Sequence, residues 1–323
     1  MQKGIASSIL ADRNGSTKSA FNSKPAFLVF FVCAFLSTFK VHAAPLPNGV
    51  IGNTLCLNAD LGPEDRLYSR IESVLGKGAV EAPSDSVYKP IRPHVRVGSE
   101  DSEVKNYFAI LALEPTDVNL DRVPFSQGSD RSRTEIKIAP GSGPQARFHA
   151  REGDTYIYSW RFKIAPGMRF SSAFTHLHQI MAQAGPLAGR PLITFTARAD
   201  RYLSVIYYET RVAGQSPKHS RLTTLGRVPL AKVMGSWIDV EEKVYYSLTN
   251  GKYEVTIRDL SGNNLLSIKK SDLSTWRQGA NHMRPKWGIY RKHDAALNQN
   301  IEDYVYFANF AITRGNSPDS TCR

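Results

Sequence analysis

Three short segments of this 323-residue chain carry polar side chains inside runs that otherwise read as β-strands. The first is Arg131-Ser132-Arg133-Thr134-Glu135-Ile136-Lys137. Side chains alternate along a strand, so Arg131, Arg133, Glu135 and Lys137 share one face. That is more charge than protection of a sheet edge requires. It describes either a solvated face or one wall of a cleft for an anionic ligand. The second is Phe174-Thr175-His176-Leu177-His178-Gln179-Ile180. Regular alternation puts His176 and His178 on one face and Gln179 on the other, unless a bulge intervenes. A His-x-His pair can ligate a metal, but no neighbouring residues complete a ligand set, and two satisfied structural histidines are the plainer alternative. The third is Arg284-Pro285-Lys286-Trp287-Gly288-Ile289-Tyr290-Arg291. Lys286, Gly288 and Tyr290 share a face, and the glycine admits a ligand or a backbone between the two functional side chains. Positive charge from Lys286 and Arg291 beside Tyr290 favours its phenolate, unless the tyrosine is simply a core residue. Together these residues could transfer protons next to a bound anion.

The elements that must position them are mostly strands. Residues 155–164, 192–199, 202–211, 237–246, 253–259 and 304–313 are rich in aromatic and β-branched side chains, often alternating, with Gly, Asn or Asp turns between. Ser261-Gly262-Asn263-Asn264 reads as a hairpin turn. Many short strands and few helices predict an all-β sandwich or jelly roll. One helix is expected between Pro63 and Leu75, where Leu67, Tyr68, Ile71, Val74 and Leu75 fall at helical spacing and Glu64 and Asp65 occupy the first turn. Residues 44–62 read as an extended arm and 76–104, rich in Pro, Gly, Ser and charge, as a surface loop. No internal repeat or splitting linker interrupts the remainder. The expected organisation is a leader over 1–43, an arm, helix and loop over 44–104, and one β domain over 105–323.

The leader expectation rests on an apolar run of eleven residues, 26–36, preceded by Lys24 and followed by Val41-His42-Ala43. This is a signal-peptide pattern with a cut after Ala43. The run falls short of the ~20 residues that cross a bilayer, although a membrane anchor is the competing reading. The protein is therefore expected to be secreted, extracellular and free of the membrane after cleavage. Removing residues 1–43 takes away five basic groups and one acid, lowering the net charge from +12 to +8. Of three cysteines, Cys33 leaves with the leader, and the remaining pair, Cys56 and Cys322, invites a disulfide in an oxidising compartment. Apolar residues at 41% and charged residues at 22% exclude a disordered chain, and three cysteines exclude a cysteine-rich scaffold.

The three segments, in this order, resemble the motifs of the jelly-roll polysaccharide lyases, which include alginate lyases, heparin lyase I and glucuronan lyases. Arg133-Thr134-Glu135-Ile136-Lys137 is similar to the Arg-Ser/Thr-Glu-Leu-Arg strand of the alginate lyases. Lys286-Trp287-Gly288-Ile289-Tyr290 resembles their Lys-Ala-Gly-x-Tyr strand, whose tyrosine is catalytic. The middle segment departs from Gln-x-His, because here the histidines precede Gln179; its Phe-Thr-His-x-x-Gln wording is closer to the glucuronan lyases. The resemblance covers about residues 105–315 and implies a concanavalin A-like jelly-roll sandwich. It also implies β-elimination on a uronic acid polymer, glucuronan first and alginate next. Abstraction of the C5 proton develops charge on the neighbouring carboxylate, which Gln179 and Arg133 would neutralise. Tyr290 would supply acid or base, with His176 or His178 as its partner. Arg131, Glu135, Lys137, Lys286 and Arg291 would line the substrate. No redox or organic cofactor is implied; a structural calcium is compatible with the fold class, with no ligands assigned.

Other classes fit less well. A glycoside hydrolase needs two opposed carboxylates, and the candidate cleft strands are basic. A noncatalytic carbohydrate-binding protein on the same fold remains the alternative. Nucleic acid is not an expected partner of a secreted sandwich, and the chain is expected to act as a monomer on an anionic polysaccharide.

Overall fold

In the computed structural model, the described residues are 46–62, 66–83, 93–113, 130–209, 221–297 and 301–322. The expected leader lies outside them, as do Glu64 and Asp65. In chain order the strands are β1 (Gly49–Ile51), β2 (Thr54–Leu57), β3 (Val80–Glu81), β4 (Val95–Asp101), β5 (Lys105–Leu113) and β6 (Arg131–Lys137). Then follow β7 (Thr155–Ile164), β8 (Thr175–Gln183), β9 (Pro191–Ala197), β10 (Tyr202–Glu209) and β11 (Arg221–Pro229). The last are β12 (Ile238–Tyr245), β13 (Gly251–Asp259), β14 (Asn264–Leu273), β15 (His282–Lys292) and β16 (Glu302–Arg314), with one helix, α1 (Leu67–Leu75), after β2. The alternating runs read from the sequence are β7, β9, β10, β12, β13 and β16, and the Ser261–Asn264 turn joins β13 to β14 as expected.

Two antiparallel sheets stack into a jelly-roll sandwich. The nine-stranded sheet runs β1-β2-β16-β7-β12-β13-β14, with β5 also on β16 and β4 on β5. The seven-stranded sheet runs β11-β10-β9-β8-β15-β6-β3. In β12 the sequence Ile-Asp-Val-Glu-Glu-Lys-Val-Tyr alternates buried and half-buried positions along its length, the period a one-sided strand requires. Trp160, Phe195, Trp287, Phe307 and Phe310 pack edge-to-face, tilted or stacked between the sheets. The helix buries Leu67, Ile71, Val74 and Leu75 against this core. It begins at Leu67, later than Pro63.

Two N-terminal segments depart from expectation. The arm closes into the hairpin β1–β2, and β2 adds to the edge of β16, with Cys56 opposite Ala311. The Cys56–Cys322 disulfide forms there, across Cα atoms 5.4 Å apart, and closes a loop of 266 residues. Segment 76–104, expected as loop, contributes β3 beside β6 and β4 beside β5. β3 is too short to carry a periodic signal, yet it places Glu81 level with Glu135.

Candidate functional site

Strand pairing in the seven-stranded sheet lines up the candidate residues in two rows. One row runs Arg133, Tyr290, His176, Thr196, Ser204 across β6, β15, β8, β9 and β10. The next runs Lys137, Lys286, Gln179, Thr194, with Glu135 opposite Gly288 between the rows. Thus Arg133, Glu135, Lys137, Lys286, Tyr290, His176 and Gln179 converge on one face.

Gln179 reaches that face because β8 bulges. From His176 to His178 it takes two residues where β9 takes one, Thr196 to Phe195. An extra residue in one strand reverses the side on which the following side chains emerge. His176 and His178 therefore lie on opposite faces, Gln179 joins His176, and the pair cannot chelate one ion. Among the described residues, no group of three or more His, Cys, Asp or Glu side chains is placed to hold a metal.

His178, a candidate partner base, is instead an interior residue. Its Nδ1 lies 2.8 Å from the carbonyl of Lys286, which can only accept, so Nδ1 carries a proton. Its Nε2 lies 2.8 Å from Glu242 Oε2 on the opposite sheet, and the Tyr253 hydroxyl donates to Glu242 Oε1 at 2.6 Å. The imidazole packs on Trp160, Phe195 and Trp287. This is a satisfied polar cluster between the sheets. Arg291, expected at the substrate, also points inward: it is fully buried, and its Nη1 donates to Asp303 at 2.7 Å. Arg169 grips the same carboxylate through Nη2 at 3.0 Å.

On the face away from the other sheet, the Tyr290 and His176 rings are 5.9 Å apart and Phe174 packs on both. The Arg133 guanidinium lies over the Tyr290 ring, 4.1 Å from its centroid. Arg131 lies 5.8 Å from the Phe174 ring at the outer end of β6. His176 Nδ1 is 2.8 Å from Thr196 Oγ1, which bonds Thr194 Oγ1 at 2.7 Å. Burial, reinforced by Arg198, Arg133 and Arg131, pushes the His176 imidazole down to about 3, so the ring is neutral at physiological pH. Gly288 serves backbone packing. A Cβ there would stand 2.1 Å from the Thr134 carbonyl oxygen, at φ 149°.

Beside this pair sits a charged cluster. Gln179 Nε2 donates to Glu135 Oε1 at 2.5 Å, and Lys286 Nζ lies 3.3 Å from Glu135 Oε2. Arg133 Nη1 donates to Glu81 at 3.1 Å, and both Lys137 and Lys286 donate to the same carboxylate. Burial would raise the Glu81 carboxyl, but Lys286, Lys137 and Arg133 outweigh it and hold it far below the usual range. Arg284 anchors nearby on the Ile138 carbonyl at 3.2 Å. Counting Arg133, Lys137, Lys286 and Arg284 against Glu81 and Glu135, the cluster is net positive. Glu81, Thr194 and Thr196 were not singled out in the sequence. Two hydroxyls alternating with Ile193 and Phe195 in β9 were a usable signal; nothing marked Glu81.

The fold is a jelly-roll sandwich similar to that of solved alginate lyases. An alginate lyase, Aly36B, solved with an alginate trisaccharide, matches at 11% identity and a TM-score of 0.50, covering 83% of this chain and 100% of that one. The PL-14 alginate lyase of Aplysia kurodai matches at 13% identity and a TM-score of 0.47, covering 80% and 98%. A GH131 β-glucanase catalytic domain from Podospora anserina matches at 13% and 0.44, covering 76% and 86%. At 11% identity the likeness to Aly36B is one of fold alone. No family model and no curated protein matches the sequence.

Proposed function

We propose that this protein is a secreted polysaccharide lyase that cleaves an anionic polyuronate by β-elimination, with glucuronan the first substrate to test and alginate the second. The observation that carries the reading is the convergence of Tyr290, His176, Gln179 and Arg133 on one sheet face, beside a net-positive cluster. His176 is neutral and tied through Nδ1 to Thr196, which leaves Nε2 to accept the C5 proton. Its basicity rises once a substrate carboxylate offsets Arg133, Arg131 and Arg198. Gln179 donates one amide hydrogen to Glu135 and retains a second for the uronate carboxylate, where charge develops. The C5–H bond breaks toward His176, the C4–C5 double bond forms, and the C4–O4 bond breaks as Tyr290 delivers its hydroxyl proton to O4. No redox or organic cofactor enters this balance. The buried Cys56–Cys322 disulfide supports an oxidising, extracellular setting.

The test is ultraviolet absorbance of the new double bond, conjugated to the carboxylate, while the purified protein acts on glucuronan, alginate and heparin in turn. A rise on one polymer, lost in Tyr290→Phe, is the expected result. Undiminished binding without any rise would instead identify a noncatalytic carbohydrate-binding protein.

A further inference from the structure

Three cations of the cleft, Arg133, Lys137 and Lys286, converge on a carboxylate that belongs to none of the three motif strands. Glu81 sits on β3, a two-residue strand at the edge of the seven-stranded sheet, and its side chain lies across the face that carries Tyr290 and Gln179. The cluster is sheltered: the Lys286 side chain is 3% exposed and that of Glu81 11%. Glu135 already neutralises part of the charge, at 3.3 Å from Lys286 and 3.6 Å from Arg133. Lys137 has its ion pair with Glu81 alone among the described residues. Without Glu81, Arg133, Lys137 and Lys286 would be left gathered around the position of a single carboxylate.

We propose that Glu81 is a built-in competitor, occupying a carboxylate subsite that a uronate of the polymer takes over on binding. The inference rests on the polyuronate reading of this cleft and deepens it by naming the residue that sets the charge requirement. Displacing Glu81 returns to the cations what they lose only if the incoming sugar is itself anionic. A neutral glucan would leave Lys137, Lys286 and Arg133 buried without a counter-charge, a heavy penalty. Glu81 thus selects for charged chains at the expense of affinity.

The experiment compares Tyr290→Phe protein with and without Glu81→Gln, titrating a β-1,4-linked glucuronate hexamer and the uncharged cellohexaose by calorimetry. Removing the competing charge is expected to tighten hexamer binding about tenfold, equivalent to ~1.4 kcal/mol, and to raise the affinity for cellohexaose as well, which no longer has a counter-charge to displace. Equal or weaker hexamer binding by a folded Glu81→Gln protein overturns the proposal while leaving the polyuronate reading intact. Absence of binding by both proteins to this hexamer and to an alginate hexamer titrated alongside it overturns both. Should Glu81→Gln fail to fold, a crystal structure of Tyr290→Phe with bound hexamer decides: Glu81 released from Lys286 supports the proposal, and an intact contact with the hexamer bound overturns it.

Discussion

Replacing Arg291 with methionine separates an interior role from a substrate role. Arg291 is fully buried, its Nη1 2.7 Å from Asp303 Oδ2, on the face of β15 opposite Tyr290. Breaking a buried ion pair by removing one partner costs about 3–5 kcal/mol, because it strands the other charge. Asp303 is not left wholly stranded, since Arg169 holds it through Nη2 at 3.0 Å, Nε at 3.3 Å and its backbone amide at 3.0 Å. The expected loss therefore falls at the lower end, about 3 kcal/mol, and methionine fills most of the vacated volume. At roughly 2–4 °C per kcal/mol for a domain of this size class, the melting temperature should drop by about 6–12 °C. The assay pairs calorimetric or circular-dichroism melting with KM on the polyuronate that proves to be cleaved. KM should stay at the wild-type value in Arg291→Met below its melting range. Unchanged melting together with a raised KM would refute the interior assignment.

Two further outcomes follow from the same geometry. Gly288→Ala should destabilise by about 3 kcal/mol, since a Cβ at φ 149° would press on the Thr134 carbonyl from 2.1 Å. Urea unfolding that coincides with wild type would contradict the close packing of β15 on β6. Acid should weaken the fold through His176, whose folded value of about 3 lies below its unfolded 6.5. The unfolded chain binds the extra proton, so the stabilisation is complete above pH 6.5 and is lost as pH falls toward 3, at ~1.4 kcal/mol per pH unit per histidine. His282, also pushed to about 3 by burial, His149 and nearby arginines, adds in the same direction. Unfolding free energies measured between pH 6.5 and 5 should fall less steeply in His176→Asn than in wild type, and parallel curves would count against a buried neutral His176.

Strand content and much of the site were legible because period-two alternation survives wherever one face is buried. Arg133, Glu135 and Lys137 could be placed on a common face from spacing alone, and the pairing of β6 with β15 put Lys286 and Tyr290 beside them. The same parity assigned Arg291 to the opposite face from Tyr290. Treating it as a substrate contact gave its charge more weight than its position, and a charged residue at an inward position is accommodated when a buried partner such as Asp303 lies on the neighbouring sheet. Glu81 was not legible at all. A two-residue strand has no periodicity to read, and its place beside β6 depends on tertiary contacts of the preceding turn, where Lys137 N donates to the Ala79 carbonyl and Ala139 N to that of Leu75.

The middle segment shows how one irregularity can reconcile a departing motif with a familiar arrangement. Read as a regular strand, Phe-Thr-His-Leu-His-Gln gives either two histidines or a glutamine on the cleft face, never a histidine with the glutamine. The bulge at Leu177 resolves this by sending His178 into the core, where Glu242 and the Lys286 carbonyl satisfy both ring nitrogens. That interior bond ties β8 to the β15 backbone at Lys286, the residue whose ammonium contacts Glu135 and Glu81 on the other face. His178 therefore positions the cleft from behind. Its burial is what allows His176 and Gln179, three residues apart, to stand on the same side of the sheet opposite Tyr290 and Lys286.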